Sequence, residues 1–144
     1  MMVFIGNREK NFRKYLERHF QLFLPDDVAL FYAKGVRIGN RELMKSRIHG
    51  ELGYAACDFG FNPTNAFMQN FGHLAKRNVV RLKSDEAKQF AAGQNIVMDL
   101  GRKTKNIVVS YKGCSIGLGS YNAGKKLIEN KLPKKRTRKI VNEL

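Results

Sequence analysis

The chain has 144 residues, of which 43% are hydrophobic, and a formal net charge of +15 at pH 7. This length and composition predict a folded protein of one domain or two small packed units, and they argue against disorder. No apolar run approaches the roughly 18 residues of a membrane span, and residues 1–6 are too short for a signal-peptide core, so we expect a cytoplasmic protein without a membrane partner.

The first half of the chain predicts a small α/β unit. Apolar residues recur at helical spacing in Phe12, Leu16 and Phe20, behind Asn7, a residue type that caps helices. The further predicted elements are strands over residues 28–33, 36–38 and 52–59, a helix over residues 41–48, and a second helix with Asn62 as its cap and Pro63 as its first residue. Gly72 is predicted to end that second helix.

The charge changes sharply after this unit. Residues 1–75 carry 10 Lys+Arg and 7 Asp+Glu, a balance of +3, whereas residues 76–144 carry 17 and 5, a balance of +12. We therefore divide the chain into an amino-terminal subdomain over residues 1–75 and a second domain over residues 76–144. The predicted elements of the second domain are a strand over residues 79–82, a helix capped by the Ser84 hydroxyl and ended by Gly93, and strands over residues 96–100, 107–111 and 114–118. Short strands in this arrangement are typical of a small β-barrel or meander.

Basic residues crowd the end of the chain. Between Gly124 and Lys139 a single acid, Glu129, stands against eight cations: Lys125, Lys126, Lys131, Lys134, Lys135, Arg136, Arg138 and Lys139. Buried lysines and arginines need partners, and one carboxylate cannot serve eight of them. The stretch must therefore face solvent or a polyanion, and nucleic acid is the commonest polyanionic partner of a basic protein. A solvated charged face is the alternative.

Patterns for catalysis or cofactor binding are incomplete. The stretch that ends in Lys126 falls one residue short of a phosphate-binding loop, because that lysine stands where Ser or Thr would hold magnesium. Gly117 and Gly119 begin a dinucleotide fingerprint without its third glycine, so a turn is predicted there. Cys57 and Cys114 lack metal-ligand spacing. The sequence therefore predicts no enzyme, no cofactor, no metal site and two reduced structural cysteines.

Three short stretches resemble a known family. They are residues 60–66, which read Gly-Phe-Asn-Pro-Thr-Asn-Ala, residues 115–119, which read Ser-Ile-Gly-Leu-Gly, and residues 129–133, which read Glu-Asn-Lys-Leu-Pro. Together with a strand over residues 106–111, they resemble the carboxy-terminal RNA-binding domain of ribosomal RNA cytosine-5 methyltransferases of the Nop/Sun (Fmu) group, which is similar to the PUA type. The likeness spans about residues 28–138 and does not include the family's catalytic domain. Asn65 stands where the family has histidine, and the lysine and tyrosine of its Lys-Asn-x-Tyr-Pro motif are replaced here.

The resemblance implies an α+β fold in which the amino-terminal α/β subdomain packs on a carboxy-terminal PUA-like β-barrel. It also implies that RNA lies in the groove between the first helix of the barrel and its closing strand, which would place Gly93 and Gln94 beside the basic tail. The predicted RNA-binding residues are Gly93, Gln94, Lys125, Lys126, Lys131, Lys134, Lys135, Arg136, Arg138 and Lys139.

The predicted function is non-catalytic binding of structured RNA, either ribosomal or transfer RNA, in RNA modification or ribosome assembly. The expected partners are that RNA and an RNA methyltransferase or a ribosomal particle. An alternative is a protein-interaction module that docks an acidic partner or a separate RNA methyltransferase subunit on the same basic surface. A third is an enzyme whose site a single sequence does not reveal. Charge alone does not separate the first two, because RNA and an acidic protein surface are both polyanions.

Overall fold

The computed structural model of the protein describes residues 2–32, 35–40, 53–58 and 60–133. The predicted helix over residues 41–48 lies outside these ranges. The helices are α1 (Met2–Phe20), α2 (Asn65–Phe71) and α3 (Ser84–Ala91). The strands are β1 (Val28–Tyr32), β2 (Val36–Asn40), β3 (Tyr54–Ala55), β4 (Val79–Arg81), β5 (Ile96–Val97), β6 (Asn106–Tyr111), β7 (Cys114–Asn122) and β8 (Leu127–Asn130). Within the described ranges, no helix is both long and apolar enough to cross a membrane.

The first half of the chain packs α1 against a three-stranded antiparallel sheet in the order β1-β2-β3. The apolar stripe predicted from the sequence does this packing, because Phe12, Leu16 and Phe20 are each 0% exposed. The predicted start of the helix was wrong. Asn7 lies inside α1, which begins at Met2.

The connection from β3 to α2 differs from its prediction. β3 covers only Tyr54–Ala55 of the predicted strand, because the Asp58 carboxylate accepts hydrogen bonds from the backbone N–H groups of Gly60 and Asn62 and so folds the chain into a loop. The cap of α2 is Thr64, whose hydroxyl accepts a hydrogen bond from Phe67 N at 3.2 Å. Asn62 cannot cap the helix, because its side chain is bonded to Asp58 and, across the molecule, to β6.

Five strands form the larger sheet, in the order β4-β6-β7-β8-β5. β4 and β6 are parallel, and α3 lies in the connection between them, whereas the other neighbours are antiparallel. The sheet curls into a half-barrel, and the predicted α+β class is confirmed. The sequence did not predict β8, since its residues Leu127 and Ile128 are the only apolar pair in a polar stretch.

The hairpin of β6 and β7 forms the centre of this sheet. It turns at Lys112 and Gly113, whose φ angles are 51° and 79°, as a two-residue hairpin of the favoured type requires. The predicted turn at Gly117 and Gly119 was wrong, because both residues lie within β7. A side chain has no room at Gly119, where an added Cβ would stand 3.0 Å from the side chains of Ile128 and Val109.

The two faces of the hairpin belong to two hydrophobic cores. Val108 and Leu118 pack with α1, α2 and the small sheet, whereas Ile107 and Val109 pack with α3 and β8. The pairing shifts between Val109 and Ser110, so that β7 carries one extra residue, Ile116. This bulge turns Ile116 to the same core as Val109, although it stands two residues from Leu118.

Asn106, at the start of β6, links the first half of the chain to the large sheet. It is 6% exposed, and its Nδ2 donates to the Tyr15 hydroxyl and to Asn62 Oδ1, each at 2.9 Å. Its carbonyl oxygen lies 2.9 Å from His19 Nε2. The first half of the chain is therefore held on the sheet by directional polar contacts as well as by apolar packing. The domain division at residue 75 stays a prediction.

Candidate nucleic-acid interface

The structure describes five of the ten residues predicted to bind RNA: Gly93, Gln94, Lys125, Lys126 and Lys131. The other five, Lys134, Lys135, Arg136, Arg138 and Lys139, lie outside the described residues. All five described residues are exposed.

Gly93 and Gln94 form the carboxy-terminal cap of α3. The N–H of Gly93 donates to Phe90 O at 2.9 Å and that of Gln94 to Gln89 O at 3.1 Å, with a φ of +94° at the glycine. These are the two bonds and the left-handed residue of a Schellman motif, which satisfies carbonyls that the helix leaves open. Gly93 therefore ends the helix as predicted. The predicted cap at Ser84 was wrong, because Ser84 lies inside α3 and the Glu86 carboxylate accepts the N–H of Lys83 at 2.9 Å instead.

Asn130 ties this cap to the last described strand. Its Nδ2 donates to the carbonyls of Phe90 and Gln94, at 2.6 and 3.1 Å, and its backbone N–H donates to Asn95 Oδ1 at 2.8 Å. Gln94 therefore stands next to the residue that precedes Lys131. The sequence analysis missed both asparagines, since an amide side chain gives no sign of which distant backbone groups it will bond.

Lys125 and Lys126 lie at the other end of β8, in its turn from β7. The N–H of Lys125 donates to Asn122 Oδ1 at 3.1 Å, and Lys126 Nζ lies 3.5 Å from Asp99 Oδ2. A hydrogen bond from the N–H of Gly101, with the charge of Lys126, lowers the pKa of Asp99. Because the four residues of β8 lie between Lys126 and Lys131, these two lysines stand about 16 Å apart along the strand. The three described lysines of the predicted RNA-binding set therefore form two groups, Lys125 with Lys126 at one end of β8 and Lys131 at the other.

An open cleft of about 540 Å³ lies beside the turn. It is lined by Lys103, Thr104, Lys105, Ser120, Tyr121, Asn122, Ala123 and Glu129. Residues 101–105 lie between two of the predicted strands, and their Arg102, Lys103 and Lys105 are a signal for a basic surface that the sequence does contain. What the sequence could not reveal is the pairing of β7 with β8, which sets Ser120 directly across from Glu129.

Positive charge is spread over the whole second half of the structure. Residues 76–133 contain 12 Lys+Arg against 4 Asp+Glu, and every one of these cations is exposed: Lys76, Arg77, Arg81, Lys83, Lys88, Arg102, Lys103, Lys105, Lys112, Lys125, Lys126 and Lys131. The folded part of the second half therefore presents a strongly positive surface even without the tail.

The two cysteines differ in burial. Cys57 is 8% exposed, and burial, with the nearby Asp58 charge, raises the pKa of its thiol to about 11. It is therefore a neutral thiol at pH 7, whereas nucleophilic cysteines are thiolates. Cys114 is a free, exposed thiol. In the part of the chain that the structure describes, no three His, Cys, Asp or Glu side chains gather to hold a metal ion.

Comparison with known protein families found one family model that matches the second half of the chain. Residues 77–138 match the family model of the methyltransferase RsmF PUA domain. Over residues 77–138 the match supports a PUA domain resembling that of the Nop/Sun (RsmF) methyltransferases and confirms the resemblance drawn from the sequence. The domain type is typically non-catalytic, and the match supports RNA binding in a methyltransferase-related context. The comparison with curated proteins found no match.

Proposed function

We propose that the protein is a non-catalytic, cytoplasmic RNA-binding protein that recognises structured ribosomal or transfer RNA during RNA modification or ribosome assembly. The PUA match over residues 77–138 carries this proposal. The charge distribution supports it, because the matched segment is also the part of the structure with the strongest excess of exposed cations.

The arrangement of the described cations favours an extended polyanion over a small anion. Lys131 lies beside Gln94 at one end of β8, and Lys126 lies at the other end, about 16 Å away along the strand. No single phosphate group spans that distance, whereas a nucleic-acid backbone presents a charge at every nucleotide. Phosphate contacts of this kind position an RNA on the protein without reading its sequence.

The experiment that tests the proposal is crosslinking of the full chain in cells, followed by sequencing of the RNA recovered with it. We expect ribosomal or transfer RNA to be enriched over its abundance in total RNA. A matched variant with Lys125→Gln and Lys131→Gln should recover less RNA, whereas Lys10→Gln and Lys14→Gln, exposed on α1, should recover as much as the wild type. Recovery of messenger RNA in proportion to its abundance would contradict the proposed RNA class.

A second candidate is a protein-interaction module that docks on a separate RNA methyltransferase. Both candidates use the positive surface of residues 76–133. The same crosslinking experiment separates them, since a docking module would bring down a protein partner with only background RNA.

A further inference from the structure

We propose that the cleft between residues 103–105 and the β7–β8 pair binds one unpaired nucleotide of the RNA, and that Glu129 selects a base with an exocyclic amino group. The inference rests on the proposed RNA binding but names a site that the sequence analysis did not include. Its volume of about 540 Å³ lies within the usual range of small-molecule sites, so a single nucleotide fits.

The cleft lies on a different face of the large sheet from the predicted RNA-binding loop. Ser120 and Asn122 follow Leu118 at two-residue steps along β7, and Glu129 pairs with Ser120, so these side chains share the face that packs on the first half of the chain. Asn130, the next residue after Glu129, points to the opposite face, where it bonds Gln94. The two surfaces are thus separate, but adjacent along one strand.

The lining combines groups that suit the two ends of a nucleotide. Lys103 and Lys105 are exposed cations in the lining and supply the charge that a phosphate requires. Ser120 and Asn122, also in the lining, supply neutral hydrogen-bonding groups. Thr104 Oγ1 is buried without a hydrogen-bond partner among the described residues, so the lining also contains an unused polar group.

The carboxylate of Glu129 determines which class of ligand the cleft can bind. It is half-buried, and within the described residues it forms no ion pair with Lys103 or Lys105. A free carboxylate repels a phosphate and therefore argues against an inorganic anion or a polyphosphate in its place. It accepts hydrogen bonds from amino groups of bases, as acidic side chains do with cytosine N4. Uracil has carbonyl oxygens and no exocyclic amino group, so the cleft should reject it in favour of cytosine, adenine or guanine.

The recognition proposed here requires a base that is not paired. An amino group on the Watson–Crick edge is occupied within a duplex, and side chains read RNA bases mainly where a loop or bulge leaves them unstacked. A structured RNA with one such nucleotide would place its helical backbone on the positive surface and the free base in the cleft.

The test measures binding of labelled hexanucleotides rC6, rA6 and rU6 to the full chain by fluorescence anisotropy. We expect rC6 and rA6 to bind at least about fivefold more tightly than rU6, the lower end of the discrimination given by a well-formed side chain–base contact. Glu129→Gln should abolish most of that preference and should strengthen rU6 binding, because it removes a negative charge and adds an amide donor. The control Asp85→Asn, an exposed acid in the first turn of α3, should retain the preference.

A second pair of variants tests the proposed phosphate contacts. The double variant Lys103→Gln and Lys105→Gln should weaken rC6 binding about tenfold, whereas Lys112→Gln, at the far end of the β6–β7 hairpin, should have little effect. Equal binding of rC6 and rU6 by the wild type, or an unchanged preference in Glu129→Gln, would overturn this inference while leaving the proposed RNA binding intact. Failure of the protein to bind these oligonucleotides and structured RNA alike would overturn both.

Discussion

Asn65 Oδ1 accepts a hydrogen bond from the backbone N–H of Leu118 at 2.9 Å, and the Nδ2 of the same amide donates to the carbonyl of Lys131. One side chain at the start of α2 therefore holds both β7 and the segment that leads into the basic tail. The family that the chain resembles has a histidine at this position. The asparagine uses an acceptor and a donor at once, which fixes the orientation of its amide.

Asn65→Ala should destabilise the protein by about 1–3 kcal/mol, because it leaves a buried N–H group without its acceptor. That N–H belongs to Leu118, a residue that is only 7% exposed. Urea unfolding followed by circular dichroism measures the effect. Asn70→Ala is the matched control on the same helix, since Asn70 is exposed and, within the part of the chain that the structure describes, its side chain donates to the Tyr54 hydroxyl alone. Equal losses from the two variants would mean that the Asn65 contacts contribute no more than a surface hydrogen bond.

Gly119→Ala should destabilise the protein by about 1–3 kcal/mol through overpacking, because the added Cβ would stand 3.0 Å from the side chains of Ile128 and Val109. Gly124→Ala is the control in the turn that follows β7. There the nearest contact of an added Cβ is Asn122 Oδ1 at 3.5 Å, so the change should stay within about 0.5 kcal/mol. The two variants are compared by thermal or urea unfolding. An unchanged stability of Gly119→Ala would show that the side chains around Gly119 can move enough to accommodate the added methyl group.

Local signals in the sequence were enough to predict several elements. The apolar runs over residues 107–111 and 114–118 predicted the two strands of the central hairpin, and Gly93 predicted the end of α3. The start of α1 at Met2 was missed because no capping residue marks it. The cap of α2 was misplaced because Asn62 followed by Pro63 fits the pattern of a helix start. In the folded chain the Asn62 side chain instead forms hydrogen bonds with Asp58 and Asn106.

The site was predictable in charge but not in geometry. Counting lysines located the positive half of the chain, and the family resemblance located the loop at Gly93. The cleft beside Glu129 required the register of β7 against β8, and the contact between Gln94 and Asn130 required the position of α3 on the sheet. Both depend on pairing between distant segments, which a single sequence specifies only weakly.

The stability of the protein should fall as the pH rises from about 9 to about 11. Burial, aided by the Asp58 charge, raises the pKa of Cys57 from 9.0 to about 11, so the folded state holds this proton more tightly than the unfolded state. The resulting stabilisation is complete below pH 9 and is lost through pH 11, with an upper bound of about 2.7 kcal/mol for a shift of two pKa units. In urea unfolding, the free energy of unfolding of Cys57→Ala should fall less between pH 9 and pH 11 than that of Cys114→Ala, the exposed control. Parallel pH profiles for the two variants would contradict the assignment.

The proposed absence of catalysis predicts that common cofactors will not bind. Titration of the full chain with S-adenosylmethionine, ATP and NAD, followed by calorimetry, should give no saturable heat, because the glycine and acid patterns that hold these cofactors are incomplete. Binding of any of the three at micromolar concentration would contradict the non-catalytic proposal.

RNA binding through phosphate contacts of the second half of the chain is tested most directly by the salt dependence of affinity. Each cation that neutralises a phosphate releases counterions, so the logarithm of affinity falls linearly with the logarithm of salt. The measurement is anisotropy of a labelled transfer RNA and a ribosomal stem-loop between about 50 and 200 mM salt.

Substitution of Lys134, Lys135 and Arg136 by Gln should lower the slope of that plot by roughly two to three units if all three contact duplex phosphates. The same change at Lys10, Lys14 and Arg18, exposed residues on α1, should leave the slope almost unchanged. Equal losses of slope from the two triple variants, or no saturable binding of either RNA, would contradict the account.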